Sequence, residues 1–201
     1  VSPVASVNTN KSRDLASVGP LLKSFQAKID EQTGELLLKG PAVMKGYHNQ
    51  PELTAAAFTE DGWLHTGDIG EIRRNGHLYI TGRIKNMIVL SGGKKVFPEE
   101  VEAVLEKSPY FSEVCVLGVS RTFGAKDGTE EIVAVVVPSE DVENKYDKDT
   151  VNKLMRDEVK RLSLQLTQYK RPVNIVVSHE PLPRTATRKV KRKEVKELVT
   201  A

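Results

Sequence analysis

Between Asp61 and Glu102, glycines, a carboxylate and cations alternate at a spacing that no ordinary core requires. The first stretch reads Asp61-Gly-Trp-Leu-His-Thr-Gly-Asp-Ile-Gly, and the second Gly82-Arg-Ile-Lys-Asn-Met-Ile-Val-Leu-Ser-Gly-Gly-Lys-Lys-Val-Phe-Pro-Glu-Glu-Val-Glu102. Asp68 follows a Thr-Gly pair that reads as a tight turn. Arg83 and Lys85 leave the end of a strand, and Gly92-Gly93 opens a turn ahead of a Pro-Glu-Glu helix start. A chain punctuated this way can form short strands and hairpins, but no long helix, across these forty residues.

The pattern differs on the two sides of Arg83. Residues 1 to about 33 are rich in Ser, Asn, Pro and Gly and read as loops and short strands. Glu35–Lys39 reads as a strand and Pro51–Phe58 as a short helix with Pro in its first turn. Ile69–Arg73 and His77–Thr81 flank Arg74-Asn-Gly76, a strong hairpin signal. Beyond Arg83, Met87–Leu90 and Lys95–Phe97 flank a second hairpin at Ser-Gly-Gly, and Pro98–Lys107 reads as a helix with two acids in its first turn. Glu113–Val119, Glu131–Pro138 and Val173–Ser178 are expected strands. Val151, Leu154, Met155, Val159, Leu162 and Leu166 mark one face of a long helix with Asp149 as its cap, and Lys193–Val199 is a terminal helix. The expected fold class is α+β: a small β-rich, barrel-like segment over residues 1–84, then a compact α+β domain over 85–201 with a small central sheet flanked by helices.

Composition narrows the function classes. The 201 residues are 39% hydrophobic and 28% charged, ordinary for a globular protein, and no apolar run approaches the ~20 residues of a membrane helix. The single Cys115 excludes an intramolecular disulfide, fits a reducing, cytoplasmic compartment, and reads as a small buried side chain. A net charge of +3 does not signal nucleic-acid binding, although seven Lys or Arg against one acid crowd residues 184–196. No aromatic residue interleaves that run, so a base-stacking platform is not expected. The histidines at 48, 65, 77 and 179 lack metal-ligand spacing, and no protein-bound metal is expected here; His65 reads as packing.

Taken in order, Gly34-Glu35-Leu, Gly40-Pro41, Gly46-Tyr47, Thr66-Gly-Asp68, Gly82-Arg83, Lys85, Gly92-Gly93 and Leu182-Pro-Arg-Thr-Ala-Thr-Arg-Lys-Val-Lys-Arg192 resemble the AMP-forming acyl-activating enzymes. These comprise acyl-CoA ligases, luciferases and the adenylation modules of peptide synthetases. The resemblance implies that Asp68, in the Thr66-Gly67-Asp68 motif, grips the ribose hydroxyls of ATP. It implies that Arg83 contacts the ribose and phosphate region, with Tyr79 and Ile80 beside the nucleotide. Lys85 falls on the hinge about which the C-terminal lid pivots between adenylate-forming and thioester-forming arrangements. Gly92 and Gly93 flank the pantetheine arm of CoA, and Lys94 meets a CoA phosphate. Lys189 falls on the family's lysine, whose ammonium stabilises the crowded approach of carboxylate and α-phosphate. One position departs from the pattern: Arg188 stands where Gly is usual.

The same resemblance implies ATP, CoA and Mg2+ as cofactors, bound mainly by an N-terminal part that this sequence lacks, since the family's phosphate loop and Tyr-Gly-x-Thr-Glu motif are absent and Val1-Ser-Pro looks like the residues just after the latter. Wording such as Val43-Met-Lys-Gly-Tyr and Tyr169-Lys-Arg-Pro looks most like bacterial long-chain fatty acid ligases, a resemblance that implies a long-chain fatty acid as substrate. Peripheral membrane association of the full enzyme fits such a substrate, and no nucleic-acid partner is expected. The alternatives are a ligase that loads a carrier protein and a noncatalytic basic module using residues 184–196. On this reading the chain alone catalyses no acid-dependent exchange of pyrophosphate into ATP, and measured exchange with this chain would overturn the expectation.

Overall fold

The computed structural model describes residues 4–120 and 129–200, so Val1-Ser-Pro lies outside the described residues. The chain divides into two compact units, Val1–Lys85 and Asn86–Ala201.

In the first unit, β1 (Gly19–Pro20), β2 (Gln26–Ile29), β3 (Glu35–Lys39), β4 (Leu64–Ile72) and β5 (His77–Arg83) form one sheet in the order β1-β5-β4-β3-β2, every described pairing antiparallel. The sheet is open, with β1 and β2 at its edges, so the barrel-like closure expected from the run of short strands is replaced by an open sheet. Strands of two and four residues at the edges offer too little backbone to pair with each other. Leu36, Leu38 and Leu78 are buried with Ala27 and Ile29 packed against them. The short helix α1 (Pro51–Ala56) begins at its proline and buries no residue.

The second unit holds a two-stranded ribbon, β6 (Ile88–Val89) with β7 (Lys95–Val96), and a three-stranded sheet. That sheet runs β10-β9-β8, with β8 (Phe111–Ser120) antiparallel to β9 (Glu130–Pro138) and β10 (Asn174–Val177) parallel to it. Alternation along β8 and β9 sorts side chains onto two faces. Val114, Val116, Ile132, Ala134 and Val136 face Val101 and Leu105 of α2 (Pro98–Leu105) and Val151, Met155, Val159 and Leu162 of α4 (Lys148–Ser163). Cys115, Leu117, Val133, Val135 and Val137 face Leu182 and Val195, the latter on α5 (Arg192–Thr200). The sheet is buried on both faces, which is why β9 reads as a continuous apolar run rather than an alternating one.

Three expectations change in detail. The cap of α4 is Asp147, not Asp149: Asp147 Oδ1 accepts from the N–H groups of Asp149 and Thr150, both at 3.1 Å, and Asp149 lies inside the first turn. Helix α4 ends at Ser163, so Leu166 reaches the core from a turn rather than from the helix. A short helix α3 (Glu140–Glu143) that the apolar pattern did not announce precedes α4 and buries Val142.

Four loops share one backbone plan. In each, the N–H of the fourth residue donates to the carbonyl of the first, and the N–H of the first donates to the carbonyl of the fifth. They are Thr59–Trp63, Arg73–His77, Leu90–Lys94 and Thr185–Lys189. The fourth residue has positive φ in all of them: Gly62 (+81°), Gly76 (+77°), Gly93 (+73°) and Arg188 (+62°). This is the three-residue hairpin in which a turn is followed by a left-handed residue, a position that glycine fills at no steric cost. The Asn75-Gly76 signal therefore marks this longer loop rather than a two-residue turn. A side chain at such a φ costs ~1–2 kcal/mol, against ~0.4–1 kcal/mol for the extra unfolded freedom of glycine. Arg188→Gly is accordingly expected to stabilise the chain by ~0.5–1 kcal/mol, read as a raised midpoint in denaturant unfolding; a lowered midpoint would contradict the strain.

Candidate functional site

The Thr66-Gly67-Asp68 segment lies within β4 and is a strand irregularity rather than a terminal turn. Leu37 pairs with His65, yet Glu35 pairs with Ile69, so extra residues of β4 are accommodated opposite β3. Gly67 has φ +71°, which lets the strand bulge outward there. The bulge is held from beneath by Glu35. This carboxylate is buried, Oε1 accepts from Gly67 N at 2.7 Å, and Oε2 bonds His65 Nδ1 at 2.8 Å. Thr66 Oγ1 donates to Leu36 O at 2.6 Å and accepts from Asp68 N at 3.1 Å.

The bulge turns Asp68 toward β5, where Arg83 is its cross-strand neighbour and donates Nε to Asp68 Oδ1 at 2.5 Å. Both side chains remain partly open to solvent. Glu35, His65, Thr66, Gly67, Arg83 and Lys85 line a groove of about 600 Å³, with Tyr47, Leu53 and Ala57 among its apolar lining. Thr66, Asp68 and Arg83, which the sequence picked out separately, thus lie together. His65 is correspondingly a lining residue paired with a carboxylate and partly exposed, not a packed core histidine.

Tyr79, the aromatic residue expected beside a nucleotide, is engaged within its own unit. It is buried, its hydroxyl donates to Asp14 Oδ2 at 2.5 Å and accepts from Asn75 Nδ2 at 3.0 Å, and Arg73 stacks on its ring. Its polar tip is consumed inside the unit, so it supports β5 rather than presenting a surface. That bond, above all other causes, holds the Asp14 carboxyl below its ordinary range. Ile80 is exposed beside Gly70, its cross-strand partner. His77, buried between the hydroxyls of Ser12 and Ser17 at 2.7 Å each, is structural.

In the second unit, Lys189 is the fifth residue of the hairpin whose fourth is Arg188. Thr185 Oγ1 accepts from Lys189 N at 3.1 Å, and Arg184 donates to Arg188 O at 2.6 Å, which fixes the backbone under an exposed lysine. The hairpin Leu90–Lys94 carries two positive-φ glycines, and nothing lies within 4 Å of a Cβ built on either, so their role in this unit is backbone conformation. Lys94 sits 4.9 Å from the centre of the Tyr169 ring. Lys85 is exposed in a single 3-10 turn, Ile84–Asn86.

Most of the basic run is already neutralised. Arg184 pairs with Glu113, Lys191 with Glu194, Arg192 with Glu102 and Lys196 with Glu130. A nucleic-acid surface needs free cations, so these pairings count against the basic-module reading. Arg192 is the residue that sequence reasoning undervalued. It donates to both oxygens of Glu102 at 2.5 and 2.6 Å and to Val116 O at 2.7 Å. Burial lowers its pKa, but the bonds to Glu102 outweigh that and raise it overall. Burial pushes the thiol of neighbouring Cys115 up to about 11, which agrees with a packing role. Among the described residues no group of three or more His, Cys, Asp or Glu could hold a metal ion.

Glu35 carries the bulge, and only the Gly-Glu-Leu wording could have flagged it. Glu35→Ala leaves the Gly67 N–H without its acceptor, and is expected to cost ~1–3 kcal/mol in denaturant unfolding. An unchanged midpoint would show that the bulge does not need the carboxylate.

Residues 100–189 match the model of the AMP-binding enzyme C-terminal domain. Indoleacetate–CoA ligase of Aromatoleum aromaticum is 40% identical over 168 residues, covering 83% of this chain and 30% of that protein. Long-chain-fatty-acid–CoA ligase FadD13 of Mycobacterium tuberculosis is 36% identical over 169 residues, covering 84% of this chain and 30% of that protein. Among solved structures, ATP-bound MatB from Rhodopseudomonas palustris superposes with a TM-score of 0.74 at 31% identity, covering 91% of this chain and 35% of that one. The chain therefore spans about 30% of the length of these curated relatives. With its motifs in family order and these likenesses across both units, the chain belongs to the AMP-forming acyl-activating enzymes, the family of the acyl-CoA ligases.

Proposed function

We propose that this chain is the nucleotide-gripping end and mobile lid of an ATP-dependent acyl-CoA ligase. The intact enzyme converts a carboxylic acid, ATP and CoA into acyl-CoA, AMP and pyrophosphate through an acyl-adenylate. The Asp68–Arg83 pair carries this reading. A carboxylate and a guanidinium on neighbouring strands, presented by a braced bulge, match the vicinal hydroxyls and phosphate of a nucleotide. ATP use is supported by the ATP-bound relative, and CoA by the ligases to which the chain is similar. Magnesium would arrive as the ATP complex.

Lys189 supplies the charge for the first half-reaction. A compact ammonium between carboxylate and α-phosphate offsets the repulsion of two anions as they meet. Lys85, exposed in a one-turn helix at the division between the units, is the pivot. In the second half-reaction the open Leu90–Lys94 hairpin borders the pantetheine arm, with Lys94 available to a CoA phosphate. The acid we favour is a long-chain fatty acid. FadD13 supports that choice, while a relative acting on indoleacetate shows how widely acids vary at this level of similarity.

In the full-length enzyme, Lys189→Ala is expected to slow adenylate formation ~10²–10³-fold while largely sparing thioester formation from supplied acyl-AMP. Lys85→Pro should do the reverse. Equal loss of both half-reactions in Lys189→Ala would overturn the assignment, and an acid screen on the same enzyme decides the acyl class.

A further inference from the structure

Arg192 lies three positions after Lys189, and it is tied to more of the second unit than any other cation described. Besides its two bonds to Glu102 and one to Val116 O, its Nη2 lies 3.5 Å from Glu99 Oε1. Glu102 in turn accepts from Val116 N at 2.7 Å. Glu99 Oε1 accepts from Asn86 Nδ2 at 2.6 Å, and its other oxygen is buried with no hydrogen-bond partner. Asn86 is the residue immediately after Lys85. Both carboxylates belong to α2, one turn apart on the same face. One guanidinium on α5 and one amide beside the pivot therefore converge on a single pair of α2 carboxylates.

From this we infer that Arg192 is a positioning residue for adenylation: with Glu99 and Glu102 it locks the Lys189 hairpin and the post-pivot residue Asn86 onto helix α2, so that the lysine and the first residue after the pivot move as one piece. The inference rests on the roles proposed above for Lys189 and Lys85. The hairpin alone cannot supply this rigidity. It is exposed and carries the strained Arg188, its own bonds fix its shape, and its entering arm is held to β8 by Arg184 on Glu113 at 2.8 Å, which leaves Arg192 as the polar anchor of the arm that leaves Lys189. Lys191 N bonds Pro183 O at 2.8 Å, and Arg192 is the next anchored side chain along the chain. Arginine is required because only a planar fork can serve both oxygens of Glu102 while its remaining donors reach a carbonyl and a second acid. Small displacements are enough to matter, since a misplacement of ~1 Å can cost ~10²-fold in rate.

The test uses the full-length enzyme with both half-reactions assayed separately. Arg192→Lys keeps the charge and loses the fork. It is expected to lower kcat for adenylation ~10–100-fold, with the KM for ATP within ~3-fold of wild type and thioester formation from supplied acyl-AMP spared. Glu99→Ala leaves the Arg192–Glu102 pair in place and cuts the tie to Asn86. It should lower adenylation ~10-fold by the same misplacement, and amide hydrogen exchange should quicken at residues 86–90. A residue that only stabilises the fold would depress both half-reactions together, so parallel loss in Arg192→Lys overturns the inference. Unchanged adenylation in Glu99→Ala overturns its second arm. Lys189→Ala is run alongside: if it leaves adenylation intact the functional reading fails, whereas intact adenylation in Arg192→Lys with loss in Lys189→Ala defeats the positioning role alone.

Discussion

The outer edge of β8 is closed by side chains rather than by another strand. In the order β10-β9-β8, the backbone groups of Val116 that point away from β9 have no strand to meet. Glu102 takes the N–H and Arg192 the carbonyl, while the two side chains bind each other through both carboxylate oxygens. Each partner thus satisfies the edge and neutralises the other, which makes an otherwise costly pair of charges tolerable where little solvent reaches. Removing one member would strand the other, at ~3–5 kcal/mol for a fully buried pair and less here, where a quarter of the Arg192 side chain is exposed. Helix α2 on one face of the sheet and the start of α5 on the other are fastened to the same residue of the same strand. The hairpin that precedes α5 lies between that fastening and a second one, Arg184 on Glu113 of the same strand.

The first unit solves a comparable problem with a buried acid. A bulge leaves backbone donors unpaired, and Glu35 supplies the acceptors from the neighbouring strand. A second irregularity completes the surface: Thr81 is an extra residue of β5 between the Gly70–Ile80 and Ile69–Gly82 pairs, and it brings Arg83 opposite Asp68. Thr66, the first residue of the motif, spends its hydroxyl on Leu36 O and the Asp68 N–H rather than offering it outward. In a motif of three residues, one is exposed to act and two are occupied with holding it.

Much of this was legible from the chain alone, for identifiable reasons. Strands β8 and β9 were readable because burial on both faces demands an unbroken apolar run. Helix α4 was readable because Val151, Met155, Val159 and Leu162 recur at helical spacing. Its cap was misplaced because two aspartates two residues apart carry the same local signal, and only the backbone decides which lies outside the first turn. The burial of Tyr79 was not legible because a burial-driven and a ligand-driven aromatic look alike in sequence, and its hydroxyl bonds Asp14, sixty-five residues away. Glu35, Glu99 and Arg192 were hard to weigh because their value comes from partners distant in sequence, and charged residues usually lie at the surface. The hairpin that Asn75-Gly76 announced brings Asp68 near Arg83, but its register alone would pair Asp68 with Gly82; the extra residue Thr81 on β5, which no local signal marks, moves the partner to Arg83.

The recurrence of one loop plan with glycine at its fourth position three times, and arginine once, bears on how often the lysine hairpin comes apart. A left-handed arginine regains a comfortable backbone whenever the two closing hydrogen bonds of its loop break, so its strain favours the open form. The net ~0.5–1 kcal/mol corresponds to a local opening equilibrium ~2–5 times more populated than glycine would allow. The three glycine loops carry no such bias. Lys189 closes that loop as its fifth residue, so the backbone that carries it leaves its resting form more readily than it would with glycine in place of Arg188.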